Sequence, residues 1–268
     1  MANNGAVITS VPNGGEGVLG VGLRRLSGLA GTLLLVQAVV LGIVLATTPA
    51  RVLLPITLSL LGGRERIALF EVDVGAGVIV LAVLVGVSRL VVVMPTVFPH
   101  YSSGVFSHQQ TARWIEFVFS SSITLFLVAQ LNGITDIGTL VLSYAITSAT
   151  TLFSVLQERS VRSASGRMLS LWFGAAVGIV PWGVIAFHQV SALVVGQPPS
   201  VLTRVITLTM LTFAFIFFVS HWRDQRRTDS VRSALAGERS HILLSLASTS
   251  VFAWLVVLGV LGVGVVRL

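Results

Sequence analysis

The chain contains no cysteine and no lysine. Without cysteine it has no disulfide, no thiolate metal ligand and no thiol nucleophile. Without lysine all 17 basic residues are arginines, and no side-chain amine exists to form an imine. Charge is scarce too: Asp, Glu, Lys and Arg make up 10% of 268 residues, against 54% hydrophobic, and the mean hydropathy is +0.94. That balance excludes an ordinary soluble domain and indicates an integral membrane protein. The net charge of +7 does not point to nucleic acid, because the arginines sit at helix ends and in loops, where they orient a membrane protein. A phosphate loop, a His-Glu-x-x-His pair and a nucleophile elbow are also missing, so no enzyme is expected.

What is present is apolar length. A helix needs about 20 residues to cross roughly 30 Å of hydrocarbon. Seven runs qualify, near 29–46, 72–94, 114–131, 137–156, 168–188, 201–222 and 242–266. They predict an all-α membrane protein, a seven-helix bundle over 24–268 behind a flexible Asn/Gly-rich tail at 1–23, with no cleavable signal peptide. Alternating the loops puts Arg24, Arg25, Arg113, Arg159, Arg223 and Arg226, with several others, on the N-terminal side. Only Arg51, Arg64, Arg66, Arg204 and Arg267 fall on the other. The positive-inside rule then predicts a multi-pass protein of the cell membrane with a cytoplasmic N-terminus and an extracellular C-terminus. After the first span, two β-prone arms around Gly62-Gly63 predict an extracellular β-hairpin, with Pro55 at an edge or a bulge. An apolar hairpin there covers either its own bundle or a second protomer of a homodimer.

The polar residues inside the spans are few. Glu116, Ser120 and Thr124 form one stripe along the third span at helical spacing. A carboxylate at that depth requires a partner. Arg89, near the end of the second span, stands at a similar depth and either pairs with Glu116 or snorkels to the headgroups. Hydroxyl stripes recur in span four (Ser143, Thr147, Thr150, Thr151, Ser154) and span seven (His241, Ser245, Ser248, Thr249). Such stripes serve close helix packing, or, with Trp172, Pro181 and Trp182 of span five, line a semi-polar pocket. The histidines fall near span ends or in loops and read as interfacial, and among the acids Glu116 alone reads as deep. The basic loop from His221 to Asp229 reads as topology and lipid contact, or as a dock for a cytoplasmic protein.

Several local motifs together resemble the heliorhodopsins. They are Arg113-Trp114-Ile115-Glu116, Ala129-Gln130 with Gly133-Ile134-Thr135-Asp136, Leu156-Gln157-Glu158-Arg159, Trp172-Phe173-Gly174 with Gly178-Ile179-Val180-Pro181-Trp182, and Gly237-Glu238-Arg239 before Ile242-Leu243-Leu244-Ser245-Leu246. The resemblance implies a rhodopsin-like bundle with its N-terminus inside, a dimer, and an outside hairpin after the first helix. It further implies that retinal is held as a Schiff base by a lysine four residues after the serine of the Leu-Ser-Leu run. That serine is Ser245, so the lysine position is Thr249, and threonine forms no imine. The family's counter-ion corresponds to Glu116, and two histidines of its polar cavity correspond to Arg89 and Leu34.

Loss of the Schiff-base cation strands Glu116 unless it is protonated or paired anew, and Arg89 is the candidate replacement. The expected function is therefore a retinal-independent binding, signalling or regulatory module. Alternatives are a protein that holds retinal, a carotenoid or another isoprenoid noncovalently between Trp172, Trp182 and the Ser245/Thr249 face, or an ion or proton transporter through Glu116.

Overall fold

The computed structural model describes residues 13–60, 66–107, 110–161, 168–226 and 230–262. Among them are eight helices and two strands: α1 (Asn13–Thr47), β1 (Leu53–Ser59), β2 (Arg66–Asp73), α2 (Val74–Val92), α3 (Phe98–Phe106), α4 (Thr111–Leu131), α5 (Ile137–Val161), α6 (Leu169–Val194), α7 (Val201–Arg226) and α8 (Val231–Leu261). All but the short α3 are long and apolar enough to cross a membrane, which makes seven candidate spans. Their outward side chains, Leu29, Ile179 and Phe187 among them, are exposed, as a surface facing hydrocarbon requires.

Two elements run past their apolar cores. α1 begins at Asn13, so part of the segment expected to be a tail is helical. α8 begins at Val231, well before the apolar run at 242, because Ser230 caps it by accepting a hydrogen bond from the Ser233 N–H. Arg239 and Glu238 interrupt the hydropathy there without interrupting the helix. The Gly62-Gly63 turn and Arg64, His108, Arg162, Arg167, Arg227 and Arg267 lie outside the described residues.

β1 and β2 pair antiparallel from Leu53 opposite Asp73 to Ser59 opposite Arg66, with a register shift between Ile56 and Thr57. Pro55 lies opposite Glu71, beside that shift. The hairpin latches onto the α4–α5 connection: the Thr57 N–H donates to the Thr135 carbonyl at 2.8 Å, and the two hydroxyls meet at 3.0 Å. β1 thus covers its own bundle through buried Ile56, while Ile67, Leu69 and Phe70 of β2 stay exposed.

Backbone contact sets the α1–α2 crossing. A Cβ added at Gly31 would lie 2.9 Å from the Gly86 carbonyl oxygen and 3.0 Å from Arg89 Cβ, so only glycine permits this approach. One turn beyond Gly86, α2 turns Arg89 inward. A larger apolar core holds the half of the bundle nearest the hairpin and includes Leu81, Leu127, Ile206 and Phe252. A smaller one, with Leu23, Tyr101, Leu235 and Ile242, holds the opposite end. That opposite end carries Arg24, Arg113, Arg223 and Arg239 and is called the arginine-rich end below.

Candidate functional site: a buried ion cluster beside a narrow cavity

Arg89 stands in the last turn of α2 and Glu116 in the second turn of α4. Their side chains meet inside the bundle: Arg89 Nη2 donates to Glu116 Oε2 at 2.8 Å, with side-chain exposures of 4% and 3%. The guanidinium does not reach out to headgroup level. Taking either ion out of water alone costs several kcal/mol, and only mutual attraction plus further hydrogen bonds offset that cost.

Further charge comes from α8. Glu238, fully buried, is the junction: the Tyr101 hydroxyl donates to its Oε1 at 2.7 Å, and Arg89 Nη1 lies 3.7 Å from the same oxygen. Its Oε2 lies 3.7 Å from Arg113 Nη1. Arg113, 1% exposed, donates to Asp224 Oδ2 of α7 at 3.0 Å and also to Gln110 Oε1. One connected cluster thereby ties α2, α3, α4, α7 and α8. Two guanidiniums face three carboxylates in it. Tyr101 lies outside the spans, and burial, followed by the Glu238 charge and its hydrogen bond, holds its phenol well above the usual tyrosine range. The phenol therefore stays protonated and donates.

Two histidines complete this end. His241 Nε2 approaches Glu116 Oε2 to 3.6 Å, and the His221 ring stacks on His241 at 5.9 Å between centroids and 27° between planes. Phe117 meets both imidazoles edge-on. Both histidines are buried, whereas the sequence reading had them interfacial. Position near a span end is not depth when α7 and α8 extend a further turn or more past the apolar run. The same extension buries Glu238, so Glu116 is not alone among deep acids.

The match to known families now adds to this geometry. The heliorhodopsin family model matches residues 23–261. The chain belongs to the heliorhodopsin family. No curated protein matches it. In this heliorhodopsin a cavity of about 90 Å³ lies beside Ser245, with walls that include Ser120, Thr147, Trp182, Ser248 and Thr249. Ser245 Oγ stands 3.5 Å from Glu116 Oε1, at the outer limit of a hydrogen bond. Thr124 and Thr147 turn their hydroxyls back to the carbonyls of Ser120 and Ser143, each at 2.8 Å. These stripes therefore satisfy themselves and leave a mostly apolar wall.

Of the residues expected at the site, Glu116, Arg89 and Ser245 come together, and Ser120, Thr147, Trp182 and Thr249 share the cavity with Ser245. Trp172 does not join them: it is 55% exposed on the outside of α6, 5.9 Å from Phe218. It stands ten positions before Trp182, and ten residues at 3.6 per turn carry a side chain well round the helix. Pro181 is buried in α6 without lining the cavity. Leu34 is buried in the larger core. Sequence reasoning missed Glu238, Tyr101, Arg113, Asp224, His221 and His241 as one unit. The available signal was the spacing Glu238, His241, Ser245 at i, i+3 and i+7, a single helical face.

Proposed function

We propose that this protein is a retinal-independent heliorhodopsin, a membrane-embedded binding or regulatory module in which Arg89 takes the place of the Schiff-base cation. The observation that carries the reading is the 2.8 Å pair of Arg89 and Glu116, buried in a chain that has no lysine. Retinal bound as an imine needs an amine, and Thr249, at the position the resemblance assigns to the lysine, offers only a hydroxyl. The donor set does not fit a covalent chromophore. With Glu116 already neutralised by a fixed guanidinium, the pair acts as a structural tie between α2 and α4. On this reading the protein is not an enzyme. Its arginine-rich end is cytoplasmic and available to a protein partner, its C-terminus is extracellular, and the exposed face of β2 at Ile67, Leu69 and Phe70 forms a homodimer contact.

The cavity beside Ser245, Thr249 and Trp182 supports a second reading, a noncovalently held retinal, carotenoid or other isoprenoid. Its volume of about 90 Å³ is small against the roughly 300 Å³ at which pockets for drug-sized ligands begin, so occupancy requires its walls to move apart.

The deciding experiment is an absorption spectrum of the purified protein with and without all-trans retinal, followed by borohydride treatment, organic extraction and mass spectrometry. The expected outcome is a colourless protein with bulk lipid only. A visible band that borohydride fixes to the chain would overturn the proposal, and one stoichiometric extractable isoprenoid would establish the second reading in its place.

A further inference from the structure

A groove of about 470 Å³ opens outward between α7 and α8 at the arginine-rich end. Its two halves differ in chemistry. One wall end carries Ile216 and Leu243, both exposed, with Leu244 behind them. The other carries exposed Arg223 and, in the first turn of α8, Ser233, with Ser240 between the two ends. Seven residues of helix separate Arg223 from Ile216, a drop of about 10 Å, which takes the groove from the membrane surface into hydrocarbon.

The groove also contains a carboxylate, Asp224, which would oppose an anion if it faced outward. It faces inward instead. Asp224 Oδ2 is bound by buried Arg113 at 3.0 Å. Its Oδ1 lies over Gly237, where a Cβ would collide with it. Gly237 is thus the notch through which Asp224 reaches the ion cluster. Arg113 offsets the acid from within, and Arg223 is the exposed cation of the groove head. Ser233 stands in the first turn of α8, where the helix dipole adds positive potential.

We propose that this groove binds an anionic phospholipid, its phosphate on Arg223 beside the first turn of α8, and an acyl chain along Ile216, Leu243 and Leu244. A free phosphate would leave the apolar half unused, and a soluble peptide has no route to side chains at hydrocarbon depth. One anion with an attached apolar tail uses both halves. The inference does not depend on the loss of photochemistry: the absorption experiment reads the chromophore, lipid retention reads the groove, and each can fail alone.

The test is native mass spectrometry of the full-length protein in detergent after exchange into phosphatidylglycerol or phosphatidylcholine. The wild type should retain one phosphatidylglycerol in preference to phosphatidylcholine. Arg223→Gln, an exposed change whose folding is checked by circular dichroism, should lower that occupancy about five-fold, the effect of one basic residue at an anionic surface. Ile216→Trp, which fills the apolar path, should lower it as well. Arg159→Gln, in the groove between α4 and α5, should leave it unchanged. Equal retention of the two lipids by the wild type overturns the proposal without any variant. So does retention unaffected by Arg223→Gln, equal loss in Arg159→Gln, or displacement by inorganic phosphate.

Discussion

The two ends of this bundle are held by opposite means. Near the hairpin the core is apolar volume, with Leu81, Leu127, Ile206 and Phe252 packed in one cluster. At the arginine-rich end four helices converge on charge, through Arg89, Arg113, Glu116, Glu238 and Asp224, and α3 joins them through Tyr101. Apolar packing is forgiving: a side chain of similar size costs little. A buried ion network is not, because each deletion strands a partner where hydrocarbon offers no water to rescue it. What the polar end gains is a defined arrangement of helices more than added stability. Heliorhodopsins share a fold, but a fold does not fix what its interior does. In this chain the interior at the polar end reads as a clamp.

The sharpest way to break the comparison is a double-mutant cycle across the clamp. Arg89→Ala should cost about 3–5 kcal/mol, because Glu116 and part of Glu238 lose their cation. Adding Glu116→Gln should recover part of that loss, read by thermal unfolding in detergent. Strictly additive losses would mean the two side chains are not coupled. Phe252→Ala, at the other end, should cost about 3–5 kcal/mol as a cavity. Combined with Arg89→Ala it should add within about 0.5 kcal/mol, since the two residues share no partner.

A smaller effect should follow at the edge of the cluster. Tyr101→Phe removes a hydrogen bond to a buried carboxylate, worth about 1.5–3 kcal/mol. It should also change the alkaline limb. The folded phenol holds its proton more tightly than the unfolded one. That contribution is therefore complete at neutral pH and erodes as the pH rises past about 10, where unfolded tyrosine ionises. The Phe variant should lose stability at pH 7 and lack this part of the alkaline decline. An unchanged alkaline limb would place Tyr101 outside the network.

Much of this architecture was legible in the sequence, for physical reasons. Seven spans can be read because hydropathy over 20 residues is a strong signal, and the hairpin because β-branched arms flank a turn. Arg89 and Glu116 stand out because charge within an apolar run is expensive. Glu238 stayed hidden because Arg239 beside it breaks the apolar run on the outer face of α8, while the inner face continues. Hydropathy averages around a helix, and burial does not. Trp172 was misplaced for a similar reason: an aromatic side chain in a span is equally at home against lipid and against a pocket.

The smallest effect lies back at the hairpin end and tests whether polar groups there act singly. Asp136 stands just before α5, accepts from the Thr139 N–H at 2.8 Å and the Thr139 hydroxyl at 3.0 Å, and forms an isolated bridge with Thr57. These bonds, the backbone one first, hold its carboxyl below the usual aspartate range. Asp136→Ala should cost about 1 kcal/mol, the worth of a helix cap, and Asp136→Asn less. Because the folded carboxyl is the stronger acid, its contribution is present above about pH 4 and is lost as the pH falls through the depressed value. Wild type should therefore lose this increment in acid, whereas Asp136→Ala should lack it at every pH. Combined with Arg89→Ala the loss should simply add, since a solvent-accessible cap at one end has no partner in the clamp at the other. Coupling between the two would mean that the ends of the bundle are not independent after all.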